Sequence, residues 1–298
     1  MPLDPAPAAP TRRALTGHLI RTRIAGDVAT GRENNLDHYR ALAEGTRYYW
    51  FGLDLGDRWK DPAAVLELMA ERCGVVADPA HREGQDTIDP ELTVDALDRM
   101  ADVLARAARD GSRVLLATGH PAGLFAVHQA LAAALRAAGC VLAEPAEHLY
   151  ADGGEVRHLA DVFMLHRGGG LVHTHSPDPM REILDALERE GRPLPDLVVA
   201  DHGWAGHAGG RGIETVGFAD CNDPALFVGE AEGSIKVTVP LDDNVAPHFY
   251  APMTAYLLAA AGLDGRTGHS GRTGRTGGAH KAGRTGRTRQ TGRRGRSS

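Results

Sequence analysis

Residues 197–233 read LVVADHGWAGHAGGRGIETVGFADCNDPALFVGEAEG, and this stretch decides the fold. An apolar run ends on Asp201 and His202. A glycine-dense passage follows through Gly203, Gly206, Gly209, Gly210 and Gly212, and a second apolar run over 215–219 ends on Asp220. Short, continuous apolar strands with compact connections are the pattern of a parallel sheet buried on both faces. Ordering each glycine costs roughly 1 kcal/mol relative to alanine, so the passage predicts a loop whose backbone approaches something closely. Carboxylates beside exposed backbone N–H groups point to a hard cation and a phosphate.

Working outward, 114–118 is another apolar run, GHPAG is a turn, 124–138 has helical spacing stopped by Gly139, and 140–143 is strand-like. This is the start of a βαβ succession. Further strands are expected over 162–165, 170–173 and 235–239, with helices over 179–190 and 248–261. Upstream, Thr11 can cap a helix carrying Leu15, Leu19 and Ile20, and Asn34 or Asn35 can open one carrying Leu36, Tyr39 and Leu42. Residues 63–73 and 93–108 are also helical in pattern, and everything up to Asp110 reads that way. The expected fold class is α/β, a three-layer α/β/α domain with a mostly parallel sheet. The expected divisions are a flexible leader over 1–10, a helical region over 11–110, an α/β catalytic domain over 111–263 and a disordered Arg/Gly/Thr-rich tail over 264–298.

A chain of 298 residues can bury an ample core without staples. Cys73, Cys140 and Cys221 are odd in number, far apart and outside any C-x-x-C pattern, which argues against a disulfide framework or structural zinc. Neither a secretory leader nor a membrane-length apolar run is present, so a cytoplasmic location is expected. Nine arginines, one lysine and no acid lie beyond Gly265, leaving 23 bases against 39 acids in the body. An acidic body repels nucleic acid. The basic tail can contact nucleic-acid phosphates, but the reading as a solvated charge run outweighs it.

Ligands of open parallel sheets bind beyond the carboxyl ends of the strands. One end delivers Thr118, Gly119 and His120, with Gly123 at the mouth of a helix whose free N–H groups favour an anion. The TGHPAG turn is neither a Walker loop nor a dinucleotide fingerprint, and alone it reads equally as a tight turn. His173 and His175 alternate onto one face, suited to metal ligation, proton transfer or core hydrogen bonding. Asp201 with His202, and Asp220 with Asn222 and Asp223, are placed as Mg²⁺ or Mn²⁺ ligands commonly are. Helix capping explains one of these acids but not all of them. Glu230 and Glu232 follow within reach, and Asp86 can close the site from the helical side. Tyr48, Tyr49, Trp50, Phe51 and Trp59 cluster in an aromatic-poor chain, where a core anchor is favoured over a ligand-stacking role.

RIAGDVATGRENN at 23–35, GQDTID at 84–89, LLATGHPAGL at 115–124, ADHGWAGHAGG and GFADCNDPALFVGEAEG together resemble an actinobacterial family known only as phosphatases. The resemblance runs from about residue 15 to 263. It implies phosphatase activity without assigning catalytic residues. A looser similarity is to metal-dependent phosphatases with a helical region and an α/β/α domain, in which an Asp-Asn pair and a further acid hold the cation. Asp220, Asn222 and Asp223 match that theme.

The expected function is therefore a divalent-metal-dependent phosphatase acting on a small phosphorylated metabolite. Asp201, Asp220, Asn222, Asp223 and Glu230 would hold Mg²⁺ or Mn²⁺. Thr118, Gly119, His120, Gly123 and His173 would bind the phosphate, and His175, His202 and Asp201 would serve catalysis, either histidine protonating the leaving alkoxide. Two rivals are an isomerase-like enzyme of sugar phosphates or nucleotides, using His173 or His175 as base, and an anion-binding sensor without catalysis.

Overall fold

A computed structural model describes residues 9–265; most of the expected leader and nearly all of the expected tail lie outside the described residues. In chain order the elements are α1 (Arg12–Thr22), β1 (Gly26–Gly31), α2 (Arg32–Ala43), α3 (Pro62–Cys73), β2 (Gln85–Ile88) and α4 (Pro90–Asp110). Then come β3 (Arg113–Leu116), α5 (Pro121–Ala137), β4 (Val141–Leu142), β5 (Leu149–Ala151), β6 (Gly154–Leu159), β7 (Val162–Arg167), β8 (Gly170–Leu171) and α6 (Asp178–Arg189). The chain continues with β9 (Leu197–Asp201), α7 (His202–Gly210), β10 (Glu214–Ala219), α8 (Pro224–Glu232), β11 (Val237–Pro240) and α9 (Ala251–Ala260). Local chemistry sets several boundaries. The side chains of Thr11, Asp61 and Asp89 accept from Ala14, Ala63 and Glu91 N–H and so cap α1, α3 and α4.

The central sheet is parallel, with strand order β11-β10-β9-β3-β4. The succession reverses between β3 and β9, because β9, β10 and β11 step one way and β3 and β4 the other. Right-handed crossovers therefore send α5 to one face and α7 and α8 to the opposite one. Helices α1, α4 and α9 gather on the α5 side, whereas α2, α3 and α6 pack with α7 and α8. The expected three-layer α/β architecture is present. Its core runs through Val114, Leu116, Val198, Val199, Val216, Phe218 and Val239, all essentially inaccessible, each burial stabilising by about 1.5–3 kcal/mol.

Three local expectations are corrected. The first concerns the region read as wholly helical, where β1 and β2 form an antiparallel ribbon with Gly26 opposite Ile88. Each strand is short and its partner is distant in sequence, so helical periodicity around them masks the pairing. Asp86, on β2, does not close the site. It is fully buried in an ion pair with Arg32 at 2.8 Å and also accepts from Asn35, Val76 N–H and Thr87 N–H. Arg32 in turn donates to the carbonyls of Asp78 and His81. Every charge in this pair is met by hydrogen bonds, the condition under which a buried ion pair is tolerated.

The second correction is that β7 and β8 are not strands of the parallel sheet, which β7 touches through a single parallel bridge between Ala117 and Phe163. With β5 and β6 they form a separate antiparallel sheet of order β5-β6-β7-β8. His173 and His175 accordingly stand on the loop between β8 and α6, not on a strand.

The third is the glycine-dense passage, which is the helix α7. A Cβ at Gly203 would collide with the carbonyl oxygen of His175, and one at Gly206 with that of Phe51. The backbone does approach something closely, as glycine density implies. That something is the protein's own main chain.

Among the described residues no helix is long and apolar enough to cross a membrane. The three cysteines are buried and free.

Candidate active site

Four strand ends converge on the reversal between β3 and β9. Thr118 follows β3, Asp201 ends β9, Asp220 follows β10, and Asp242 and Asp243 follow β11. With Thr30, Gly31 and Asn34 from the helical region, and His120, His173, His175, His202, Asn222, Asp223 and Asn244, these acids other than Asp201 line a cavity of ≈ 340 Å³. The cavity is shared by the helical region and the sheet, at the place where open α/β sheets accept ligands.

His202 is the hub. It has the left-handed φ of 48°, which costs a non-glycine residue roughly 1–2 kcal/mol and turns the chain sharply from β9 into α7. Its Nδ1 donates to Asp201 Oδ1 at 2.7 Å. Its Nε2 lies 3.3 Å from both Asp223 Oδ2 and Asp243 Oδ2. The His175 ring stacks on it at 4.5 Å, with His173 and His120 beyond at 5.0 and 5.9 Å. Burial disfavours the charged imidazole, but the Asp201 and Asp223 carboxylates outweigh this and raise its pKa well above the usual value. For His175, burial and the neighbouring His202 both act against charge, lowering its pKa to about 3.

Asp201 is fully buried and its oxygens are occupied by the fold. Oδ2 accepts from Thr118 Oγ1 at 2.5 Å, Oδ1 from Gly119 N–H at 2.7 Å, and His128 Nε2 stands 3.8 Å away. Burial opposes its ionisation, yet the His202 hydrogen bond and charge hold its pKa down at about 2. This carboxylate holds the Nδ1 side of His202 and is not among the residues that line the cavity. The expected phosphate cradle is engaged in the same network, because Gly119 N–H donates to Asp201 and His120 N–H to Thr118 Oγ1. Neither Thr118 nor Gly119 lines the cavity. Gly123 is small for a packing reason, since a Cβ there would strike the Asp243 carbonyl oxygen.

The other expected residues divide similarly. His120, His173, His175, His202, Asp220, Asn222 and Asp223 are brought together. Glu230 is not. It is bound by Arg99 at 2.5 Å and Thr238 N–H at 2.6 Å, tying α8 to α4 and β11. Glu232 accepts from Trp59 Nε1 and Gly56 N–H, away from the cavity. Phe51 and Trp59 are buried core anchors, while Tyr48 is exposed and stacks on His175 at 5.2 Å.

Asp242, Asp243, Thr30 and His128 are site residues absent from the sequence expectations. Asp242 and Asp243 carried a signal, because they follow an apolar strand as Asp201 and Asp220 do. Thr30 donates to Asp220 Oδ2 at 2.6 Å. From α2, Tyr39 donates to the Cys221 carbonyl at 2.5 Å and His38 Nδ1 to that of Asn222 at 2.8 Å, holding the 220–223 turn. The His173–His175 loop is pinned by Thr174 N–H donating to the Gly119 carbonyl at 2.9 Å.

A phosphatase family model matches residues 10–265, which include every residue of this site. The chain belongs to the Phosphatase family. It is similar to Phosphatase SCO2771 of Streptomyces coelicolor, with 63% identity over 260 residues covering 87% of this chain and 99% of that protein. The expected kinship with actinobacterial phosphatases is borne out, and with it the enzyme class. Among the described residues of this member of the Phosphatase family, three groups of side chains could hold a metal ion: His120, His173 and His202; His175, His202 and Asp223; and Asp220, Asp242 and Asp243.

Proposed function

We propose that the protein is a divalent-metal-dependent phosphatase of a small phosphorylated metabolite, working from the histidine–aspartate cavity. One observation carries the reading. Asp201, Asp220, Asp223, Asp242 and Asp243 are all buried, and no Arg or Lys among the described residues forms an ion pair with any of them. Buried carboxylates in that number require cations or protons, and the imidazoles paired with them, His120, His128 and His202, are fewer than the five carboxylates.

The residues present fit a metal. His175 Nδ1 and Asp223 Oδ1 are buried without hydrogen-bond partners, and His175, His202 and Asp223 each offer a ligand atom within 4.8 Å of the others. These three would hold the ion. Mixed imidazole and carboxylate donors suit Mn²⁺ or Zn²⁺ better than Mg²⁺, which prefers oxygen alone. When bound, such an ion polarises a phosphoryl oxygen and lowers the pKa of an attacking water. Asp201 orients His202, in the manner of the carboxylates that commonly back a ligating imidazole. Asn34, Asn222 and Asn244 line the cavity and offer neutral amides to phosphate oxygens. His173, at the exposed mouth, is positioned to serve the leaving alkoxide.

A volume of ≈ 340 Å³ suits a small molecule. Three buried free cysteines support a reducing, cytoplasmic location. Phosphate release from a panel of phosphorylated metabolites tests the assignment: EDTA should abolish it and Mn²⁺ or Zn²⁺ restore it. Unchanged turnover in EDTA, with the stripped protein confirmed metal-free, would overturn metal dependence.

A further inference from the structure

We infer that the cavity holds two divalent cations sharing the carboxylate of Asp243, the second bound by Asp220 and Asp242. This rests on the metal-dependent reading above and extends it. Opposite the imidazoles, Asp220, Asp242 and Asp243 each place a carboxylate oxygen within 4.8 Å of the others, and all three are buried. Asp220 accepts from Thr30 Oγ1 at 2.6 Å and Cys221 N–H at 2.6 Å. Asp242 accepts from Ala29 N–H at 3.1 Å and Asn244 N–H at 2.9 Å. These neutral donors aim the carboxylates but neutralise none of their charge, and every oxygen retains a further lone pair.

Asp243 is different. Its Oδ1 lies 3.1 Å from His120 Nδ1 and its Oδ2 3.3 Å from His202 Nε2. Neither contact is aligned as a hydrogen bond, and both His120 Nδ1 and Asp243 Oδ2 are buried without a hydrogen-bond partner. An unpartnered carboxylate oxygen at 5% residue exposure, facing nitrogen donors on one side and oxygen donors on the other, stands where a bridging ligand stands. The two halves differ in chemistry. Imidazoles dominate the first, whereas the second offers oxygen alone and suits Mg²⁺ or Mn²⁺. Paired cations in phosphatases clamp the attacking and leaving oxygens of a displacement, which gives the acidic half a purpose that the first centre leaves unexplained.

The test is a Mn²⁺ titration of the EDTA-stripped full chain, followed by electron paramagnetic resonance, which counts free Mn²⁺ and distinguishes coupled from isolated bound ions. Two bound equivalents with an exchange-coupled spectrum, reduced in Asp242→Asn to one equivalent with an isolated six-line spectrum, are expected. One equivalent in the unaltered chain overturns the second centre and leaves the first reading intact. No binding overturns both. Two equivalents that persist in folded Asp242→Asn and Asp220→Asn variants overturn the assignment to these acids. Should either variant fail to fold, the count and coupling in the unaltered chain decide.

Discussion

Thr118 Oγ1 donates a 2.5 Å hydrogen bond to Asp201 Oδ2, and this bond bridges the point where the strand order reverses between β3 and β9. It links two strand ends that no local sequence feature connects. Through Asp201 it also fixes the Nδ1 side of His202.

Thr118→Val keeps the shape of the side chain but leaves a buried carboxylate oxygen short of a donor, which costs about 1–3 kcal/mol. We expect urea unfolding to show that loss, and kcat to fall more than KM rises as His202 loses its orientation. Metal affinity should weaken by less than the about 10–100-fold expected for removing Asp201, which bonds His202 directly. Thr118→Ser should restore all three. A valine variant with unaltered kcat and metal affinity would show that Asp201 does not act through His202.

Alanine normally stabilises a helix relative to glycine by about 1 kcal/mol. Gly206→Ala in α7 should do the reverse, because the new Cβ meets the Phe51 carbonyl oxygen and the helix must move away from main chain. Overpacking of this kind costs about 1–3 kcal/mol. Chemical denaturation measures it directly, and a variant more stable than the parent would contradict the close approach.

Glu230→Gln separates a structural acid from a ligand. Glu230 bridges Arg99 and Thr238 N–H, so the variant should lose about 1–2 kcal/mol of stability. Phosphate release and its metal requirement should be unchanged, as read from kcat across a Mn²⁺ titration. A change in Mn²⁺ affinity would return Glu230 to the metal centre.

Much of the architecture was legible locally. Thr11, Asp61 and Asp89 announce helix starts through side-chain oxygens that reach N–H groups two or three residues away. The apolar runs ending on Asp201 and Asp220 place two acids at the correct edge of a parallel sheet, and the same rule applied to β11 points to Asp242 and Asp243. His128 had no such signal. It lies eight residues beyond His120, inside α5, and only packing brings its Nε2 to 3.8 Å from Asp201. The β1–β2 ribbon was equally hidden, because its pairing joins strands separated by two α-helices and two short 3-10 turns.

The order of residues alone determined an α/β chain whose strand ends deliver carboxylates and imidazoles to one edge. Side-chain period and helix caps are properties of neighbours in sequence, and they need no knowledge of the rest of the molecule. Tertiary structure decided which of those groups face the cavity. Asp201, Thr118 and Gly119 consume their hydrogen-bonding capacity on one another and on His202, whereas Asp223 and Asp243 each keep an unpartnered oxygen. Whether a lone pair is free depends on donors brought from distant strands, so it is settled only when the chain has closed.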